Sequence, residues 1–156
     1  MIRSAAVLLV LAALLVAAPS AQTTVAAAAS TPEKNAKVVR QCHAAFDPYI
    51  AMLHKIKATL SGTPKFKAYD AAVNKMVDKY SNNINSIKLP STSCTKYVLG
   101  PLTGAYIKYY SVDRDWDQCR ERQRCGAAMA DFKKRWKLAS KSLKSAEKGF
   151  GSVSTR

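Results

Sequence analysis

From residue 31 onward, apolar side chains recur at alternating spacings of three and four, the period of a helix with one buried face. The period-two alternation of a half-buried strand is almost absent. The first such stretch opens at Thr31-Pro32-Glu33, where a hydroxyl cap, a proline suited to the first helical position and an acid at the positive helix end coincide. Its stripe is Val38, Cys42, Ala45, Tyr49, Leu53, Ile56 and Leu60, with Phe46 and Ile50 alongside. Pro48 falls inside it and is predicted to kink or divide the helix, because it removes one ladder bond. Ser61-Gly62-Thr63-Pro64 then reads as a turn.

A second helix follows with Phe66, Tyr69, Val73, Met76, Tyr80, Ile84 and Ile87 on one face, ending at Leu89-Pro90. The third opens near Cys94 and carries Val98, Leu102, Ala105 and Tyr109, with Gly100-Pro101 weakening its first turns. Residues 113–124 are dense in both charges and poor in apolar positions. A fourth helix is predicted from about Gly126 to Lys148, with Met129, Phe132, Trp136, Ala139, Leu143 and Ala146 as its core stripe. Residues 149–156 read as a frayed, flexible tail. Four amphipathic segments with short connections predict an all-α fold, an antiparallel bundle of about four helices.

The residues before this pattern differ in kind. Arg3 is followed by an uninterrupted apolar run from Ala5 to Ala18 and then by small residues. That order is the one found in secretory signal peptides, and the run is shorter than the roughly 20 residues of a membrane-spanning helix. Residues 1–29 are therefore expected to be a cleaved signal, residues 30–148 a single domain, and the protein secreted or periplasmic.

Export changes the reading of the cysteines. Cys42, Cys94, Cys119 and Cys125 are even in number and none forms a Cys-x-x-Cys pair, which predicts two structural disulfides. In an antiparallel bundle the third helix begins at the end where the first begins, placing Cys94 near Cys42. Cys119 and Cys125 both follow the third helix, so the expected pairs are Cys42–Cys94 and Cys119–Cys125. Six residues of regular helix separate Cα atoms by about 9 Å, beyond the roughly 7 Å that a bridge spans. The fourth helix is therefore expected to start after that bridge.

Charge adds a functional direction. The chain carries 25 Lys and Arg against 10 Asp and Glu, a net charge of +15 that drops by one if Arg3 leaves with the signal. Such an excess favours polyanionic partners: nucleic acid, acidic polysaccharide, cell-wall polymer or anionic lipid surface. The excess is patterned on the fourth helix. Lys134, Lys137, Lys141, Lys144 and Lys148 repeat the three-four spacing of the core stripe about half a turn away, flanked by Lys133 and Arg135. Ordinary solvated faces mix signs; between Phe132 and the end of the chain the only acid is Glu147.

Catalysis finds little support. His43 and His54 are too far apart along one helix to share a metal, and Asp113, Asp115 and Asp117 lack the glycine of a calcium loop, with Gln118 in its place. No metal and no cofactor are expected. Tyr97, Tyr106, Tyr109 and Tyr110, with Lys96 and Lys108 among them, allow an aromatic-basic platform for bases, sugars or haem, or else simply flank the core. The expectation is a non-enzymatic exported binding protein that docks a basic helical face on a polyanion. The alternatives are a secreted protein-binding module, which would have a protein partner, and a carrier holding a hydrophobic ligand or haem inside the bundle.

Overall fold

The computed structural model describes residues 31–83 and 87–154. The expected signal segment, residues 1–29, lies outside the described residues, as does Ile84 of the second stripe. Four long helical stretches form an antiparallel bundle: α1 (Thr31–Ala58), α2 (Phe66–Asn83), a composite third rod, and α5 (Cys125–Gly149). The third rod is a short turn α3 (Thr92–Cys94), a π-helical turn Thr95–Leu99 and α4 (Gly100–Glu121) in direct succession. No strand occurs among the described residues.

Pro48 does not divide α1, which runs unbroken through it. The proline sits on the exposed face, and the carbonyl it leaves without an amide belongs to Ala44, which is also exposed to water. Phe46, Tyr49, Ile50 and Leu53 around it are all buried and hold both halves of the helix on the core. At the end of α1, the Thr59 hydroxyl donates to the carbonyl of Ile56 at 2.7 Å and the Ser61 hydroxyl to that of Ala58 at 2.6 Å. Gly62, at φ 72°, turns the chain.

The second helix is described as far as Asn83, and Ile87, which its apolar pattern included, lies outside the helix. In its last turn the Ser81 hydroxyl donates to the carbonyl of Val77 and the Asn83 amide to that of Lys79. Ile87 packs on the core from outside α2. In the third rod, Pro101 has no N–H to offer the carbonyl of Tyr97 four residues earlier. The chain widens there into the π turn, and the Gly100 amide reaches back to Thr95.

The predicted bridges are both present: Cys42–Cys94 with Cα atoms 6.0 Å apart and Cys119–Cys125 with 5.0 Å. The charged stretch from Asp113 is helical as far as Glu121, and the helix breaks only inside the short bridge. The break is a Schellman turn: Arg124 N–H bonds the Cys119 carbonyl at 2.9 Å and Gln123 N–H that of Arg120 at 3.0 Å. Gln123 takes the left-handed position, φ 54°, that such turns usually give to glycine. The turn brings the two thiols together and sends α5 back along α4, its most extensive neighbour.

Near this end the core is aromatic. Trp116 lies 5.7 Å from Tyr69, 5.6 Å from Trp136 and 6.1 Å from Phe132, ring centre to ring centre. Toward the other end Phe46, Cys42, Cys94, Val98 and Ala146 are buried. The flexible tail expected from residue 149 requires correction. Residues 150–152 form a 3₁₀ turn, Phe150 and Val153 are buried, and Ser154 exchanges two hydrogen bonds with the Ser93 hydroxyl. Two apolar side chains and a paired backbone anchor the segment, a signal too short to show as periodicity.

Candidate functional site

The outward face of α5 is built by the same pattern that buries its inner face. Phe132, Trp136, Ala139, Leu143 and Ala146 are buried against the bundle. Half a turn away Lys134, Lys137, Lys141, Lys144 and Lys148 are all exposed. At 1.5 Å per residue these five span about 21 Å in single file, with ammonium groups every 4.5–6 Å or so along the axis.

Several carboxylates of α4 and α5 are engaged by partners outside the ridge. Arg135 pairs with Asp115 of α4 at 2.7 Å and with Asp131 at 2.8 Å. His54 of α1 bonds Glu147, and Arg120 pairs with Asp117. Among the described residues, none of the five ridge lysines has a carboxylate within ion-pair distance. Lys133 is exposed beside the ridge. Arg135 does not widen it: its guanidinium turns toward α4, over the Phe132 ring at 5.4 Å. The ridge is thus lysine alone. Between its stems runs a shallow groove of about 410 Å³ lined by Lys137, Leu138, Ser140, Lys141 and Lys144. Leu138 is the one large aliphatic side chain exposed on α5 among the described residues.

The tyrosines are partitioned by the fold. Tyr109 is fully buried, its hydroxyl 3.2 Å from that of Ser140. Tyr106 stacks between Tyr80 of α2 at 4.2 Å and Tyr110 at 5.9 Å, and Arg114 covers Tyr110 at 5.9 Å. Tyr49 of α1 meets the edge of Tyr80 at 6.1 Å. Sequence spacing along one helix showed only half of this ladder, because Tyr49 and Tyr80 arrive from other helices. Within it the rings spend their faces on one another. Tyr97 is exposed, with Lys96 over its ring at 5.1 Å.

The histidines stand apart, as their spacing implied. His43 stacks on Phe150 at 3.7 Å and bonds Asp47 at 3.0 Å. No group of three or more metal-binding side chains forms among the described residues. The three alternating aspartates diverge: Asp113 is buried, while Asp115 and Asp117 face Arg135 and Arg120. Burial of Asp113 is the feature that sequence reading missed. It follows from spacing, since Asp113 stands four residues after Tyr109 and three before Trp116 in the core series. Its Oδ1 is buried without a partner, as is Trp136 Nε1. Burial, then Asp70 and Asp117 nearby, push its pKa up to about 6. Burial also raises Tyr69, whose hydroxyl donates to the Tyr109 carbonyl at 2.7 Å.

No protein-family model, no curated protein and no solved structure matches this chain. The site is therefore read from its own chemistry. No helix among the described residues is long and apolar enough to cross a membrane. Beyond the ridge, open grooves lie at helix boundaries. One of about 520 Å³ runs between α1 and α2 over Pro48, Met52 and Lys55, and one of about 660 Å³ lies beside Tyr80, Leu99 and Tyr106.

Proposed function

We propose that this is an exported, non-enzymatic binding protein whose α5 ridge docks on a polyanion. The observation that carries the reading is the single file of five exposed lysines, none paired with an acid among the described residues, along one side of a long helix. Unpaired ammonium groups on a fixed scaffold concentrate positive potential where a run of phosphate, sulfate or carboxylate groups gains contact at little ordering cost. The two disulfides support export, because such bridges persist in oxidising compartments, and so does the signal-like order of residues 1–29. The net charge of +15 acts in the same direction as the ridge, steering encounter with acidic surfaces.

The reading is tested by retention of the exported protein on immobilised heparin, duplex DNA and vesicles rich in anionic lipid, at physiological ionic strength. Retention by at least one, lost when Lys137, Lys141 and Lys144 are changed together to Gln, supports it. Passage through all three overturns it and makes a protein partner the leading account.

A further inference from the structure

We infer that the partner of the α5 ridge is a linear acidic polysaccharide, bearing sulfate or carboxylate groups along its chain and lying lengthwise on the helix. This rests on the reading of the ridge as a polyanion-docking face and deepens it by naming the polymer. Three features of the face select it.

The first is shape. The ridge is one residue wide and about 21 Å long. A flexible chain follows such a line and meets all five ammonium groups. A duplex strand winds away from a straight line within a few phosphates, because it turns around the duplex axis.

The second is what flanks the line. A lipid surface is flat and reaches past the ridge on both sides. On one side it meets the Arg135 cluster with Asp115 and Asp131, on the other Glu147 beside His54. Membrane docking also gains from large apolar side chains that enter the headgroup layer, and the one α5 exposes is Leu138. A narrow chain stays between these flanks.

The third is the chemistry of the ridge. It holds lysine and no arginine, so it offers compact charges that ask no fixed bidentate geometry of the anion. Proteins that hold single-stranded nucleic acid add aromatic platforms for the bases. The aromatic ladder of this protein lies elsewhere, on α1, α2 and α4, with its rings stacked on each other and under Arg114, and Tyr97, exposed beside the end of α5, has Lys96 over its ring. The groove among Lys137, Lys141 and Lys144 adds instead the Ser140 hydroxyl and the Leu138 side chain, a polar and an apolar wall suited to a sugar ring.

The test is a length series of heparin-derived oligosaccharides, titrated into the intact protein by calorimetry at constant salt. Affinity should climb with length until the fragment covers about 21 Å and then level off, because further sugars find no further lysine. Changing Lys137, Lys141 and Lys144 to Gln should cost about tenfold or more on fragments that span the ridge, and little on the shortest. An oligothymidylate of matched charge and vesicles of phosphatidylserine are titrated alongside. Tighter binding of the oligothymidylate would overturn the assignment in favour of nucleic acid. Tighter binding of vesicles, weakened by Leu138→Ser, would overturn it in favour of membrane; both outcomes leave the polyanion reading standing. Absence of binding to all three probes defeats the polyanion reading itself.

Discussion

The backbone of Gly149 rests directly on the carbonyl of Tyr97, so closely that a Cβ on residue 149 would overlap that oxygen. The carbonyl is the one that Pro101 leaves without an amide, and the close approach locks the end of α5 against the π turn. Gly149→Ala must therefore push two backbones apart. We expect it to lower stability by about 2 kcal/mol or more, read as a shift in the urea midpoint with unchanged slope. Gly126→Ala, where a Cβ meets open space, should be neutral or mildly stabilising and serves as the control.

Gln123 makes the opposite prediction. It occupies the left-handed position of the turn between α4 and α5, at φ 54°. An L side chain there costs roughly 1 kcal/mol relative to glycine. Gln123→Gly should raise stability by about that amount, and Gln123→Val should lower it, both measured by chemical denaturation with the disulfides intact.

The two bridges differ in the loop they close, with sequence separations of 52 and 6 residues. Loop-closure entropy assigns the long one about 4 kcal/mol and the short one about 2. Replacing Cys42 and Cys94 together by Ser should therefore cost more than replacing Cys119 and Cys125. Equal costs would show that native contacts, here the Schellman turn, hold the short loop without its bridge.

Asp113 gives the protein a pH dependence opposite to that of most carboxylates. Its folded pKa, about 6, lies above the ordinary carboxylate value because burial disfavours the charged form, and Asp70 on α2 and Asp117 on α4 add repulsion. The folded state therefore holds the proton more tightly than the unfolded chain. This contribution is present in full below about pH 4 and is lost as pH rises toward about 6. Asp113→Asn should remove that loss, raising stability at pH 7 by up to about 3 kcal/mol relative to pH 4. Tyr69, Trp136 and the Arg135 guanidinium lie around the same site and should keep their contacts in the variant. Identical pH profiles of parent and variant between 4 and 7 would contradict the assignment.

The helical period made most of this fold legible. The stripes of α1, α4 and α5 face the core as the three-four spacing required, with Val38, Ala45, Leu60 and Met129 only partly buried, and chain direction in the bundle was enough to choose the cysteine pairs. Period carries no information where a single side chain decides. It did not show that Pro48 leaves the helix undivided, that Ile87 lies outside α2, or that Phe150 and Val153 fasten the last residues. The lysine ridge was visible because it repeats along one helix. The removal of Arg135 from it was not, because the two aspartates that draw it away come from α4 and from the first turns of α5.

The central claim is that the α5 lysines contact a polyanion, and salt dependence tests it most directly. A flexible single-stranded oligothymidylate serves as a calibrated probe, since each phosphate neutralised adds about 0.7 to the slope of log affinity against log salt. Replacing Lys137, Lys141 and Lys144 by Gln should flatten that slope by about two units. The thermal midpoint should stay nearly unchanged, because exposed lysines contribute little to folding. A variant that binds with the parent's slope and affinity across salt would contradict the claim and leave the ridge as a solvated face.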